Sequence, residues 1–239
     1  ATEGMVRVLP IGCISRGRQG EALAPLADLA LAGALGFSDD GSPVMNSGLM
    51  RQALEYSCIS GLPIIDHCED TNLSAGGVIN EGRISIKLGL PGIPAAAEER
   101  MVARDLALAK ETGGRLHIAH ISTAGSVDLI RHAKEEGIRV TAEVTPYHLT
   151  LTEEMVIRHG AQAKVNPPLR TEKDIQALIQ GLRDDVIDII ATDHAPHTVA
   201  EKRLDFAQAP FGISGLETAL GCLMSLVHEG EITLTKLIS

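Results

Sequence analysis

Short apolar runs alternate along this chain with longer stretches of helical character, and each run breaks off at polar or turn-forming residues. The runs cover residues 6–11, 34–37, 63–66, 116–119, 140–144 and 187–191. Runs of this length bounded by turn signals read as buried strands. Between them, residues 23–34 form an Ala/Leu-rich helix ending near Gly33 or Gly36, and residues 49–58 form another before Gly61. Pro94 opens a helix over 95–111 that Gly113-Gly114 stop, and a helix over 126–136 closes at Gly137. Strand–helix–strand alternation predicts an α/β fold with a parallel sheet, right-handed connections and helices of the barrel-crossover kind.

The ends of the runs carry the candidate chemistry. In a parallel α/β barrel, functional groups sit at the carboxyl ends of strands. The last run ends in Thr192-Asp193-His194-Ala195-Pro196-His197. Asp193 would then point into the mouth, Ile189 and Ile190 would fill the core, and His197 would lie on the loop above. On this segment alone, a helix-capping Asp193 beside solvated loop histidines is an equally good reading. The same pattern recurs upstream, in Ser38-Asp39-Asp40-Gly41, Asp66-His67-Cys68-Glu69-Asp70 and Ala119-His120-Ile121-Ser122. Four strands thus deliver Asp40, His67, His120 and Asp193 to one rim. Two carboxylates and two imidazoles suit a borderline divalent ion such as zinc, whose bound water becomes a usable nucleophile near neutral pH. A metal hydrolase is the reading favoured over capped helices and satisfied loop polars.

Composition narrows the partners. The chain has 239 residues, 44% of them hydrophobic, but only 2% aromatic and none of them Trp. Burial therefore rests on Ala, Leu, Ile and Val, as in sheets covered by helices, and one domain over residues 1–239 is expected. A net charge of −10 without a basic cluster argues against nucleic acid or an anionic membrane as partner. No apolar run approaches the roughly 20 residues needed to span a bilayer. Ala1-Thr2-Glu3-Gly4 has none of the regions of a signal peptide, so a cytoplasmic location is expected. Cys13, Cys58, Cys68 and Cys222 form no Cys-x-x-Cys pair, which leaves histidine and carboxylate as metal ligands.

The other polar positions read differently. His117 precedes His120 by three residues, so strand alternation turns the two to opposite sides and makes His117 a packing residue. His132, His159 and His228 fall in or beside helical segments and should be solvated. His148, after the fifth run, could approach the mouth. Alternation turns Cys68 away, and Glu69 and Asp70 are expected to cap the segment after them. Lys87 lies in the long connection between the third and fourth runs, away from any bridging position. Asn166-Pro167-Pro168 is a rigid turn, either simple or holding Asn166 as a fixed substrate hydrogen-bonder.

Together and in this order, Ser38-Asp39-Asp40-Gly41, His67-Cys68-Glu69-Asp70, His120-Ile121-Ser122-Thr123, Asn166-Pro167-Pro168, the Asp193 segment and Gly215-Leu216-Glu217-Thr218 resemble the bacterial class I dihydroorotases of the amidohydrolase superfamily. The resemblance runs from about Val6 to the C-terminus. It implies a (β/α)8 barrel, the TIM-barrel fold, and one or two divalent ions, zinc foremost. By resemblance, Asp40 takes the metal-bridging position filled in many relatives by a carbamylated lysine, and His67 and His120 hold the second metal position. Asp193 touches the first metal position and moves the catalytic proton. Asn166 and His197 bind substrate, and the backbone at Phe211 and Gly212 lies against a pyrimidine ring. The implied reaction interconverts N-carbamoyl-L-aspartate and L-dihydroorotate in pyrimidine biosynthesis.

One departure bears on this reading. The family's first strand ends in His-x-His-x-Arg, yet no histidine precedes His67 here. About six of eight βα units are therefore expected, as an internal portion of a dihydroorotase or a truncated homologue with an open edge, and at most one well-held metal. A homo-oligomer is the expected state. The alternatives are hydantoinase, dihydropyrimidinase or allantoinase chemistry on the same scaffold, or an inactive homologue that scaffolds aspartate carbamoyltransferase. The Ser-Asp-Asp-Gly segment and Asn166-Pro167-Pro168 favour dihydroorotase.

Overall fold

Five of the six apolar runs are strands of one parallel sheet in the computed structural model, which describes residues 5–238. The strands are β1 (Phe37–Ser38), β2 (Ile64–Asp66), β3 (Ile79–Asn80), β4 (Gly92–Ile93), β5 (Leu116–Ile118), β6 (Val140–Val144) and β7 (Ile189–Ile190). The sheet runs β1-β2-β5-β6-β7, every neighbouring pair parallel, while β3 and β4 pair separately within the connection from β2 to β5. Spatial order follows chain order, the arrangement of part of a (β/α) barrel.

The helices are α1 (Leu26–Leu31), α2 (Ser47–Ser60), α3 (Thr71–Ser74), α4 (Arg83–Leu88), α5 (Ala95–Thr112), α6 (Ala124–Glu135), α7 (Pro146–Thr150), α8 (Met155–His159), α9 (Glu172–Arg183), α10 (Ala219–His228) and α11 (Leu234–Ile238). Their ends obey local chemistry. Asn46 accepts from the amides of Gly48 and Leu49 at the start of α2, and Thr123 accepts from Ser126 at the start of α6. Gly113 ends α5 in the left-handed region, at φ 71°, where a side chain would be strained. The expected helix over 23–34 shrinks to α1, because Pro25 has no amide hydrogen to extend it backwards and Gly33 leaves the helix at φ 104°.

Strand alternation sorts the two faces of the sheet. Ile64, Leu116, Ile118, Val140, Ala142 and Val144 are buried in one core with Leu54 of α2, Val102 of α5, Ile130 of α6 and Leu178 of α9. Each such Val, Leu or Ile side chain contributes about 1.5–3 kcal/mol. Ile65, His117, Thr141, Glu143 and Ile189 face the other way and line an open cavity of about 820 Å³. Ile189 is 47% exposed there, so of the expected core pair only Ile190 packs against the apolar core. Among the described residues β7 ends the sheet, with a neighbour on one side only.

The first run is the other correction. Residues 7–11 form no strand, and Val6 is 74% exposed. Among the described residues no layer covers their side chains. Within the run Pro10 O accepts from Leu35 N at 2.9 Å, and regular pairing comes only at Gly12, whose amide donates to Gly36 O at 3.0 Å and whose carbonyl accepts from Ser38 N at 2.8 Å. This single bridge to β1 holds the place of the sixth βα unit.

A second apolar cluster, with Ile79, Tyr147, Val156, Val165 and Leu169 at its centre, lies under the loops at the strand ends. Buried polar groups tie these loops to the helices. Glu98 accepts from the amides of Ser122 and Thr123 and from the hydroxyls of Ser122, Thr123 and Ser126. Arg170 donates to Ser122 Oγ at 3.1 Å, Asn80 Oδ1 at 2.7 Å and Ile93 O at 2.8 Å. Burial opposes ionisation of Glu98, but the charge of Arg170 and the serine hydrogen bonds keep its carboxyl below the ordinary range.

Candidate metal centre

Each strand end presents its polar residue by a different local device. After β1, Asp39 turns inward and accepts from Ile14 N at 2.9 Å and from the amide and hydroxyl of Ser15. Locking Asp39 leaves Asp40 at the rim, half-exposed. His67 follows β2 directly. His120 follows β5 after one residue, with its backbone at φ 31°, and Asp193 follows β7 at φ 44°. Only two other non-glycine residues among the described residues have positive φ. Such backbones cost on the order of 1–3 kcal/mol each, and their concentration here marks a site over-determined by its surroundings.

Asp40, His67 and His120 converge. His120 Nε2 lies 3.1 Å from Asp40 Oδ1 and 3.2 Å from His67 Nδ1, and His67 Nδ1 lies 3.5 Å from the same Asp40 oxygen. A tetrahedral ion with bonds of about 2.0–2.1 Å holds neighbouring donors about 3.3–3.4 Å apart, so these separations fit zinc without rearrangement. The other ring nitrogen of His67 donates to Glu69 Oε2 at 2.8 Å, which directs the Nδ1 lone pair into the cluster. His120 Nδ1 is the only buried side-chain polar atom among the described residues with no hydrogen-bond partner. The donor set suits a borderline divalent cation held by two imidazoles and a carboxylate.

Electrostatics agree with strong mutual attraction. The hydrogen bond from His120 holds Asp40 down at about 2 against burial. Burial opposes a charged His120, yet the hydrogen bond and charge of Asp40, with the charges of Asp193 and Glu143, raise it to about 9. Burial likewise opposes a charged Glu69, but hydrogen bonds from His67, Ser74 and Asn166 hold it at about 2.

Asp193 is outside the convergent triad. Its Oδ2 accepts from the hydroxyl of buried Tyr147 at 2.6 Å. Burial, followed by the charge of Asp193, pushes the Tyr147 hydroxyl well above its ordinary value, so it remains a donor. Asn166, beside a cis bond to Pro167, donates to Glu69 Oε2 at 2.7 Å and reaches the back of His67. His197 donates from Nε2 to Phe211 O at 2.7 Å. Gly212 packs so tightly on the turn after Asp193 that an added Cβ would sit 2.7 Å from Ala195 O.

Several residues escaped the sequence reading. Asp70 caps α3, as expected, but Glu69 orients His67 instead. Its spacing of two from His67 was the available signal. Tyr147 had none, its partner lying 46 residues away. His117 packs along the sheet, its ring between Thr141 Oγ1 at 2.8 Å and Glu143 Oε2 at 3.1 Å, while the ring of His120 sits with Asp40 and His67 and only its main-chain amide donates to Glu143. His148 is buried away from the mouth, accepting from Thr145 Oγ1 at 2.9 Å and donating to Pro167 O at 3.0 Å. His132, His159 and His228 are exposed, as is Lys87. Cys68 turns into a closed group with Asp66 and Asp105, where Arg104 donates to Asp105 Oδ1 at 2.7 Å. Burial and the neighbouring Asp105 raise Asp66 well above its ordinary value, and the Arg104 guanidinium sits beside both carboxyls.

The family model described as dihydro-orotase-like matches residues 2–126, just over half of the chain, including Asp40, His67 and His120. The chain belongs to this dihydro-orotase-like family. Among curated relatives, the dihydroorotase of Pelotomaculum thermopropionicum is 60% identical over 232 residues, covering 97% of this chain and 54% of that protein. The dihydroorotase of Syntrophus aciditrophicus is 56% identical, covering 98% of this chain and 55% of that protein. Among solved structures, the L-hydantoinase (dihydropyrimidinase) of Arthrobacter aurescens superposes with a TM-score of 0.75 at 28% identity, covering 89% of this chain and 50% of that one. A D-hydantoinase gives 0.71 at 27% identity, covering 90% and 49%. This dihydro-orotase-like chain thus spans about half the length of the relatives it matches, and its α/β partial barrel is the fold that the strand pattern predicts. No helix among the described residues is long and apolar enough to cross a membrane.

Proposed function

We propose that this chain carries part of the active site of a zinc-dependent dihydroorotase, which interconverts N-carbamoyl-L-aspartate and L-dihydroorotate. The observation that carries the proposal is the convergence of Asp40, His67 and His120 at ligand spacing, with Asp193 near enough for its charge to act on His120. The names of the curated relatives select dihydroorotate among cyclic amides.

Asp40, His67 and His120 would hold the ion, and Glu69 fixes the ring of His67. A divalent ion there would polarise a carbonyl and lower the pKa of water. Asp193 moves the proton. In ring opening it takes a proton from the attacking water and delivers it to the leaving ring nitrogen. The hydroxyl of Tyr147 occupies Oδ2 of Asp193, which leaves Oδ1 for that transfer. Asn166, His197 and the backbone of Phe211 and Gly212 bind the substrate. A cytoplasmic location and a homo-oligomeric state accompany this reading.

The hydantoinase alternative draws on the solved neighbours, whose names are hydantoinases. One experiment separates the readings. The complete protein is assayed on L-dihydroorotate and on hydantoin, with and without Asp193→Asn. We expect dihydroorotate turnover that falls about 10²–10⁴-fold in the variant at unchanged zinc content. Full activity in Asp193→Asn would remove the proton-transfer role, and turnover of hydantoin alone would replace the substrate.

A further inference from the structure

Lys164 and Lys202 are buried cations on the loop side of the centre, exposed by only 3% and 7%. Among the described residues neither has a carboxylate partner. The Lys164 ammonium donates to three carbonyls, Phe206 O at 2.8 Å, Ala207 O at 3.2 Å and Ala209 O at 2.7 Å. It also lies 5.3 Å from the ring centre of Phe206 and 4.6 Å from that of Phe211. The carbonyl of Lys164 in turn accepts from Gly212 N at 3.0 Å and from the Lys202 ammonium at 3.2 Å, and Lys202 also donates to Pro210 O at 2.9 Å.

Burying an ammonium is costly unless its donors are all matched. Here the match is complete, because a lysine has three N–H donors and three carbonyl oxygens meet them. Those oxygens repel one another when no cation lies between them. The carbonyls of residues 206, 207 and 209 are therefore gathered around the charge of one side chain, beside two aromatic faces. The same segment is tied to the centre. Phe211 O receives His197, Gly212 packs on Ala195, and Lys164 stands two residues before Asn166, which touches Glu69 and His67.

We infer that Lys164 is a positioning residue whose buried ammonium, backed by Lys202, holds residues 206–212 in the path that receives the substrate. The inference rests on the dihydroorotase reading for the identity of that substrate, and on the contacts above for the order of the segment. Arginine does not replace it, since a planar fork cannot direct three donors at a trigonal set of oxygens.

The test uses the complete, zinc-loaded protein with Lys164→Met and Lys164→Ala. Loss of charge-assisted hydrogen bonds predicts a rise of about 10- to 100-fold in KM for L-dihydroorotate, with kcat changed by less than about twofold. Amide exchange at Gly212 should accelerate about tenfold or more while amides of α5 and α9 keep their protection. Propylammonium should restore the KM of Lys164→Ala, and propanol should not. Lys202→Met, which leaves the triple contact in place, should shift both readouts in the same direction by less. Unchanged KM and exchange would overturn the inference, as would loss of protection throughout the protein or equal rescue by propanol. If the unsubstituted protein does not act on dihydroorotate, the functional reading fails alone, and exchange at Gly212 still decides the role of Lys164.

Discussion

His148 provides a stability switch whose size is set by its surroundings. It is buried on α7, and burial pushes its imidazole from the ordinary 6.5 down to about 4. Between those values the unfolded chain holds the extra proton and the folded protein does not. Stability from this group is therefore complete above pH 6.5 and is lost as pH falls from 6.5 towards 4. The whole displacement corresponds to about 3 kcal/mol, of which about 2 kcal/mol is lost between about pH 7 and about pH 5. Over that interval carboxylates in the unfolded chain remain mostly ionised. The perturbation is His148→Gln, which retains an acceptor for Thr145 and a donor for Pro167 but cannot titrate. Urea unfolding of both proteins at the two pH values cancels every other titrating group. The wild-type protein should lose about 2 kcal/mol more than the variant on acidification. Parallel losses would refute the burial argument for His148.

Other consequences can be measured separately. Tyr147→Phe removes the donor to Asp193 and should lower kcat for dihydroorotate about tenfold with little change in melting temperature; an unchanged kcat would detach Tyr147 from the chemistry. Glu98→Ala leaves two amides and three hydroxyls without their acceptor and the nearby Arg170 without its opposing charge, and denaturant unfolding should show a loss of about 3–5 kcal/mol, a loss below about 1 kcal/mol contradicting the network. In the metal-free protein His120 keeps its proton until about 9, so zinc affinity measured by chelator competition should rise up to about tenfold per pH unit between about pH 7 and that value. A flat profile would show that the ion does not displace that proton.

What was legible in the sequence obeyed chain-local rules. Pro94 and Gly113 bracket α5 because one lacks an amide hydrogen and the other tolerates a left-handed backbone. The polar residue after each apolar run was readable because parallel strands all present their carboxyl ends to one rim, and this brought out Asp40, His67 and His120. The limits were tertiary. Nothing local distinguishes residues 6–11 from a strand, since what they lack is a covering layer. Tyr147, Glu69 and Lys164 matter through partners that loops bring to them. Alternation holds only while a strand lasts, and β5 ends at Ile118, before His120 turns at φ 31°.

The short helix α7 has one further consequence. Tyr147 and His148 are neighbours in the chain but diverge around the helix axis, one reaching the carboxylate after β7 and the other the Asn166-Pro167 turn. The acid group and the turn that carries Asn166 are therefore both buttressed by a single five-residue part. Lengthening or shortening α7 by one residue would rotate both at once. A lineage that changes its substrate by remodelling the Asn166 turn is thus free to alter side chains there, but must keep the length of the helix behind it.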